Sequence, residues 1–587
     1  MAASRFRLLK GAGCASPDTL VLLLLAAWWV VNLLQAAFTG LANDEAYYLY
    51  YSRRLDWGYF DHPPMVALLV AATSWVGGSI GLRRASTVLQ PLYLLLFWHL
   101  IKPAGATRRD AVVYVLLCFS QPLLQLYGFM ALPDAPLMMS TVLFLWAYKR
   151  LCASQNVLNA TLLGVCIALL GYSKYHGALV VAAAMVANPR LLRRWHLYYA
   201  AALGLLLLSP HLWWQWRHDW VSIRYHLSGR NAAAYRASFT LEYLLLLLFI
   251  FNPLWLWHYV KALFGRAPRT DADGTGLMLR RALWAVALVF VLFFLPNTRN
   301  GHVQPQWLLP VTLPCVALLF DCWRGSRYVL RAGLASMVLM LAARLLAAVG
   351  PSWIKGELWH QREQYEAIAA VADGRPVVFM HTYTAPCKYT FYTGSQAYCA
   401  PYYFNRHSQW QYDTADRALR GQEVVVGNFT NRQADVLPLG MGGGYRAFHY
   451  SVVSSYQPTR ELVATPDPAF EAAALPGESF SLGLDVANPY GVDIAGNDSS
   501  ALRVTLYFEQ SGHRFARTFC RLEYTLRAGS TTHLDLGLDM PRSLADGTAE
   551  MGVSIGQEDY TGSDTGPRVA VCVSHRGDTI AIKTLKK

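Results

Sequence analysis

Charge is what this sequence has least of. Only 15% of its 587 residues are Asp, Glu, Lys or Arg, while 54% are hydrophobic; water-soluble domains carry about 25% charged residues. The shortage is concentrated in residues 1–350, where long apolar runs alternate with short basic or aromatic connections. That excludes an ordinary soluble fold for this stretch. Internal repeats are absent, as is any low-complexity tail, and the cysteines match no zinc-ligand spacing. A cleaved signal peptide needs a short apolar core followed by a small-residue cleavage site. The first apolar run, residues 19–39, is too long and lacks such a site, although Arg5, Arg7 and Lys10 precede it.

The sequence instead offers a series of membrane spans. Residues 19–39 are uncharged and long enough to cross a roughly 30 Å hydrocarbon core as a helix. Further runs lie near 86–101, 111–127, 135–149, 157–172, 177–188, 197–211, 241–260, 282–296, 307–321 and 328–350, giving an expectation of about eleven helices. Residues 64–77 are too short to span comfortably and read as an interfacial helix of the first outer loop. The net charge of +14 does not indicate nucleic acid, because the basic residues cluster beside apolar spans and form no soluble basic face. Placing those clusters in the cytoplasm starts the path inside and leaves the segment after 350 outside. Arg53, Arg54, Arg83 and Arg84 then fall on the outer side, against the positive-inside rule.

Composition changes after Pro351. Residues 351–455 mix a helical stretch with short β-rich runs and read as a small α/β domain. Residues 456–587 alternate polar and apolar positions between Gly, Pro, Asn and Asp turns, the pattern of a β-sandwich. Cys387, Cys399, Cys520 and Cys572 fall in this tail, and their even number in an oxidising compartment permits disulfides. Cys387–Cys399 with Cys520–Cys572 is the simplest of three pairings.

On this topology the outer loops gather the residues able to do chemistry. The first carries Asp44, Glu45, Tyr59 and His62; the second, Asp134; the third, Lys174, Tyr175 and His176. Arg217, Trp220 and Arg230 lie in the fourth, and Arg299, His302, Gln306 and Trp307 in the fifth. Ionisable groups at membrane depth are costly unless paired or solvated. Plainer roles exist one residue at a time: Asn43 or Asp44 as a helix cap, His62 as part of a rigid turn, Asp134 as an N-cap, the tryptophans of HLWWQWRHDW as an interfacial belt. Lys174, set between apolar spans, needs an anionic partner. Together the set points to group transfer from an anionic lipid: an acid to accept a proton, cations to hold a phosphate, aromatics to stack on sugar faces. A transporter or flippase of a lipid-linked glycan is the alternative. It would show inverted repeats and polar residues at the midplane, and neither is present. A scaffold presenting the β-domain would leave Asp44, Asp134 and Lys174 without a task.

The stretch NDEAYYLYYSRRLDWGYFDHPPMVALL resembles the first-loop signature of the bacterial protein-mannosyltransferase-like, ArnT-related family of the GT-C superfold. LPDAPLM is similar to that family's second acidic motif and SKYHGAL to its Ser-Lys-Tyr segment. SPHLWWQWRHDWVSIRYHLSGR resembles a further Pro/Trp/Ser/Arg stretch, and GHVQPQWLLP stands where many relatives carry His-Trp. The resemblance covers residues 20–350 in order. It implies a GT-C helical domain over 1–350 in the bacterial inner membrane, with the tail periplasmic. The implied activity is an inverting transfer of a sugar from a polyprenyl-phosphate donor in the membrane lipid to an extracytoplasmic glycan, lipid or protein. On the matching positions, Asp44 becomes the catalytic base or acceptor-orienting acid, with Glu45 supporting it and Asp134 organising the acceptor side. Lys174, His62, Arg230 and Arg299 become donor-phosphate ligands. Tyr59, Tyr175, His176, His302, Gln306 and Trp307 become substrate contacts. Relatives with Lys-Pro-Pro where this chain has His62-Pro63-Pro64 weaken the phosphate role there, since histidine is only partly charged near neutral pH. Whether a divalent cation, Mg or Mn, takes part is left open, because Asp44, Glu45 and Asp134 suit either a ligand or a proton-accepting role.

Overall fold

The computed structural model describes residues 15–229, 235–264, 274–351, 353–354, 356–400, 407–430, 435–439, 445–495, 502–510, 514–557 and 565–585. The chain divides into two compact units, Met1–Pro351 and Ser352–Lys587.

The first unit is helical: α1 (Pro17–Phe38), α2 (Asn43–Ser52), α3 (Met65–Thr73), α4 (Gly78–Ile101), α5 (Arg108–Phe119), α6 (Pro122–Tyr127), α7 (Asp134–Ala153), α8 (Val157–Ser173), α9 (Gly177–Ala187), α10 (Trp195–Arg217), α11 (Val221–Arg224), α12 (Ala237–Ile250), α13 (Leu256–Phe264), α14 (Gly274–Asn297), α15 (Thr312–Trp323) and α16 (Arg327–Val349). Local chemistry sets the ends of α1. Ser16 accepts from the Thr19 amide and Pro17 opens the first turn, where its fixed φ is pre-set for a helix. Asp18 sits at the positive end of the dipole. It accepts from Trp98 Nε1 at 2.7 Å and from Lys102 Nζ at 2.7 and 2.8 Å, tying the start of α1 to the end of α4. Small residues let α8 and α10 approach closely: a Cβ on Gly164 would meet Ala200 O at 2.8 Å, and one on Gly204 would meet Ile167 Cγ2 at 2.8 Å.

Among the described residues, five helices are long and apolar enough to cross a membrane: Pro17–Phe38, Trp195–Arg217, Gly276–Asn297, Pro305–Trp323 and Arg327–Val349. A sixth would be the pair Ala237–Ile250 and Pro253–Ala262, bent by 69° at its break. Asn252 makes that bend, with φ at +49° and its side chain capping Leu254 N and donating to Ser120 O. Length and composition therefore support five or six spans, not the full set of about eleven. α4 and α7 have 24 and 20 residues but are too polar to pass; α8 and α9 are apolar but short. The interfacial helix expected over 64–77 is α3 with a 3₁₀ turn at Ser74–Val76.

The second unit holds two sheet systems with separate cores. α17 (Gln361–Ala372), β1 (Val377–Met380), α18 (Ala385–Thr393), β2 (Ala397–Ala400), β3 (Val424–Asn428), β4 (Asp435–Pro438) and β5 (Ala447–Val453) build a five-stranded sheet in the order β2-β1-β3-β5-β4. β1 runs parallel to β2 and β3, and β5 runs antiparallel to β3. The remaining strands run from β6 (Val463–Pro466), β7 (Glu471–Ala474) and β8 (Ser479–Ala487) through β9 (Ile494–Ala495), β10 (Leu502–Gln510), β11 (Arg514–Arg521) and β12 (Thr525–Leu526). They end with β13 (Thr531–Asp539), β14 (Gly547–Gln557), β15 (Val569–Arg576) and β16 (Thr579–Thr584). A six-stranded sheet, β11-β10-β14-β15-β16-β7, and a three-stranded sheet, β13-β8-β6, share one apolar core. β8 and β13 alternate buried and exposed residues strictly enough to fix their register. Arg460 bonds Asp416 at 3.2 Å and Glu461 at 3.0 Å, joining the two systems.

The cysteine pairing needs correcting. All four tail cysteines are free thiols. Cys520 on β11 and Cys572 on β15 are separated by β10 and β14, so three strand spacings of about 4.8 Å keep them well beyond disulfide reach. Cys387 donates to Tyr383 O at 3.5 Å and Cys399 to Thr382 O at 3.4 Å; burial pushes the Cys399 thiol up to about 12.

Candidate active site

Glu45 and Asp44 are neighbours with different surroundings. Both lie in the first turn of α2, where carboxylates suit the dipole. Asp44 is half-buried, whereas Glu45 is fully buried. Both oxygens of Glu45 are engaged. One accepts from Arg83 Nε at 2.7 Å and Ala131 N at 2.8 Å; the other accepts from an Arg83 terminal nitrogen at 2.5 Å and Ala42 N at 3.0 Å. Arg83 spends its remaining N–H groups on the carbonyls of Ala36, Thr39 and Gly40, and all five donors of the guanidinium are used. Glu45 is therefore a positioning residue: it holds the start of α2 against α4 and against the segment that leads to Asp134. Phe129 lies between two cations, 5.4 Å from Arg83 and 5.6 Å from Arg344. Arg344, on α16, donates to Gln125 Oε1 and Asn32 Oδ1, both at 2.9 Å.

Asp134 opens α7, and Lys174 follows the last turn of α8. They are 2% and 4% exposed, and Lys174 Nζ lies 2.8 Å from each Asp134 oxygen. The anionic partner that the sequence demanded for Lys174 is thus Asp134. Tyr175 continues the site: its hydroxyl accepts from Gln215 Nε2 at 2.8 Å and meets His211 Nε2 at 3.3 Å. Its ring stands 5.4 Å from His226, which in turn is 6.2 Å from His62. His226 Nε2 bonds Asp61 O at 2.8 Å, and the Asp61 carboxylate accepts from Tyr51 at 2.6 Å. Burial and the Asp61 charge hold the Tyr51 hydroxyl well above its usual range. The chain turns sharply between α10 and α11, with Asp219 and Trp220 at φ of +52° and +55°. A π-helical turn at Tyr225–Gly229 follows, a geometry often found at functional sites. That turn carries His226 over the first loop.

Not every expected residue joins this cluster. Tyr59 is 1% exposed and stacks on Tyr51 at 4.1 Å. Its hydroxyl donates to the carbonyls of Tyr51 and Arg54, so it braces the loop. His176 packs edge-on to Phe294 at 5.1 Å and lies 5.8 Å from buried Trp307; Gln306 accepts from Tyr127 at 3.1 Å. His302 pairs with Glu242 at 2.5 Å on the exposed surface. Arg299, also exposed, lines a cavity of about 910 Å³ with Thr240, Thr298 and Asn300. Among the described residues no bond or ring contact links His302 or Arg299 to the Asp134–Lys174 cluster. Arg230 lies outside the described residues. Among those described, no three His, Cys, Asp or Glu side chains gather as a metal set. Glu45 and Asp134 are each engaged by a basic side chain, so they and Asp44 do not form an open carboxylate set for a cation.

Sequence reasoning missed Arg83, Asp61, Tyr51 and His226. Arg83 carried a signal, as a basic residue on the wrong side of the positive-inside pattern. Asp61 sat within the first-loop motif, overshadowed by His62.

Comparison with known proteins now bears on this geometry. A family model described as dolichyl-phosphate-mannose-protein mannosyltransferase matches residues 61–214, a stretch that includes His62, Asp134 and Lys174. The lipid A galacturonosyltransferase RgtD of Rhizobium johnstonii is 26% identical over 373 residues, 58% of this chain and 75% of that protein. The lipopolysaccharide core galacturonosyltransferase RgtA of the same organism is 26% identical over 356 residues, 56% of this chain and 70% of that protein. The apo crystal structure of ArnT from Cupriavidus metallidurans superposes with a TM-score of 0.52 at 13% identity, covering 73% of this chain and 97% of that one. The chain shares the fold of ArnT and is similar in sequence to the mannosyltransferase family model and to the two Rhizobium galacturonosyltransferases. The ArnT likeness is one of fold, and both Rhizobium relatives are named as galacturonosyltransferases. With five helices long and apolar enough to cross a membrane among the described residues, the helical unit agrees with that fold.

Proposed function

We propose that the chain moves a sugar from a polyprenyl-phosphate donor to an extracytoplasmic acceptor, inverting the anomeric centre. The protein then resides in the bacterial inner membrane with residues 351–455 and 456–587 as periplasmic α/β and β-sandwich domains. The observation that carries this reading is the buried Asp134–Lys174 pair, set beside the Tyr175–His226–His62 cluster. An ammonium held in a fixed place suits a phosphate whose charge grows as its bond to the sugar breaks. In the step, the acceptor oxygen forms a bond to the anomeric carbon while the carbon–oxygen bond to the phosphate breaks. Polyprenyl phosphate leaves with that electron pair, and the acceptor proton passes to Asp44. Asp134 orients Lys174, His62 and Tyr175 line the sugar side, and Glu45 keeps α2 in place. The two Rhizobium relatives, named for lipid A and the lipopolysaccharide core, favour a saccharide of a lipopolysaccharide-type lipid as acceptor.

The test uses purified full-length protein with a polyprenyl-phosphate sugar and lipid A as acceptor, followed by mass spectrometry. Asp44→Asn is expected to cut turnover by about 10²–10⁴-fold while the protein melts normally and still binds donor. Near-normal turnover in that variant overturns the role of Asp44. Transfer failing with every lipid-linked donor, in protein that is folded and active in lipid transport, overturns the enzyme reading.

A further inference from the structure

The opposite end of the helical unit carries a second basic cleft. Asp134 starts α7 and Ser154 caps its other end; 20 residues at about 1.5 Å each make that helix close to one hydrocarbon thickness long. Beside its far end is a cavity of about 290 Å³. Gln155, Asn188, Arg190 and Arg194 form its polar wall, and Leu191 and Met278 its apolar floor. No acidic residue lines it. Arg190 and Arg194 are exposed, and neither has an ion-pair partner among the described residues. The Asn188 side-chain amide makes a long 3.6 Å contact with Cys152 Sγ at the cleft wall.

Three further features fix the depth and the chemistry. Trp195 and Tyr198, 58% and 60% exposed, adjoin Arg194, as aromatic residues do at a membrane–water interface. Tyr198 donates to Leu192 O at 2.7 Å, which fixes the rim of the cleft. Val186, Leu205 and Leu206 are exposed on α9 and α10 and offer an apolar wall running into the bilayer from the cleft. The ends of α9 and α10 could account for one arginine through the helix dipole. Two guanidiniums sharing one cleft without a carboxylate repel each other, and a multi-oxygen anion between them relieves that repulsion.

The geometry points to a binding site for the phosphodiester headgroup of an anionic phospholipid, with its acyl chains along α9 and α10. The site is separate from the donor site and rests only on the membrane reading. Native mass spectrometry of the full chain released from detergent tests it, using phosphatidylglycerol, phosphatidylcholine and inorganic phosphate as probes. Phosphatidylglycerol is expected to bind preferentially, and the double variant R190Q/R194Q to weaken that binding about 30-fold. Arg331→Gln, an exposed arginine on α16, is the control for net charge and is expected to leave it unchanged; melting temperatures check folding. Three results would each overturn the proposal. One is equal retention of phosphatidylcholine, and another is unchanged phosphatidylglycerol binding in a folded double variant. The third is displacement of the lipid by millimolar inorganic phosphate that itself binds as tightly, which would make the site one for free phosphate.

Discussion

The Arg83–Glu45 and Lys174–Asp134 ion pairs of the helical unit are both buried, and they are built for different tasks. Arg83 and Glu45 are both fully buried with every donor and acceptor occupied. Asp134 and Lys174 are nearly as buried, yet they adjoin half-buried Tyr175 and a cluster of histidines and tyrosines. The first pair locks loops together. The second, under the proposed function, holds a cation beside the Tyr175–His226–His62 cluster. Burial alone therefore does not tell a structural charge from a working one; the openness of the neighbours does.

The contrast can be broken most severely at Arg83. Arg83→Ala leaves the Glu45 carboxylate uncompensated in a dry site, at a cost of about 3–5 kcal/mol, and folded protein should be lost in size-exclusion chromatography. The double change E45Q/R83M removes both charges and should recover much of that stability; failure to recover would mean that the backbone bonds of Arg83, not the charge pair, do the holding. Lys174→Ala is next: donor binding should fall by at least tenfold in equilibrium titration, with Lys174→Arg restoring part of it. Asp134→Asn should weaken donor binding less, because the ammonium stays. Tyr175→Phe removes one hydroxyl from the Gln215–His211 contacts and should cost about 1 kcal/mol or a few-fold in turnover. The smallest effect belongs to the tail: Cys520→Ser and Cys572→Ser should leave the melting temperature unchanged under reducing and oxidising conditions alike, since neither thiol is bonded.

The sequence exposed the helical unit through its long apolar runs, and the β-sandwich through the alternation in SFSLGLDV and THLDLGLDM. It was weaker on α4 and α7, because these helices bury polar residues such as Gln90 and Asp134 against protein and so lose the apolar signal of a lipid-facing helix. The acidic and basic loop residues were legible as a set, and the need of Lys174 for an anion was legible alone. Which acid would supply it was not, since Asp134 is 40 residues away and only the packing of α7 on α8 brings them together. His226 was hidden for the same reason: its place depends on two left-handed residues and a π turn that leave no periodic trace. The disulfide expectation failed because cysteine parity carries no information about strand order.

The Arg83–Glu45 lock also bears on how the helical unit assembles. The partners are 38 residues apart, on either side of α3, so the pair closes as soon as the first loop and α4 meet. Once closed it carries no net charge, so the buried arginine sits in the folded unit with its own counter-ion and asks nothing of solvent.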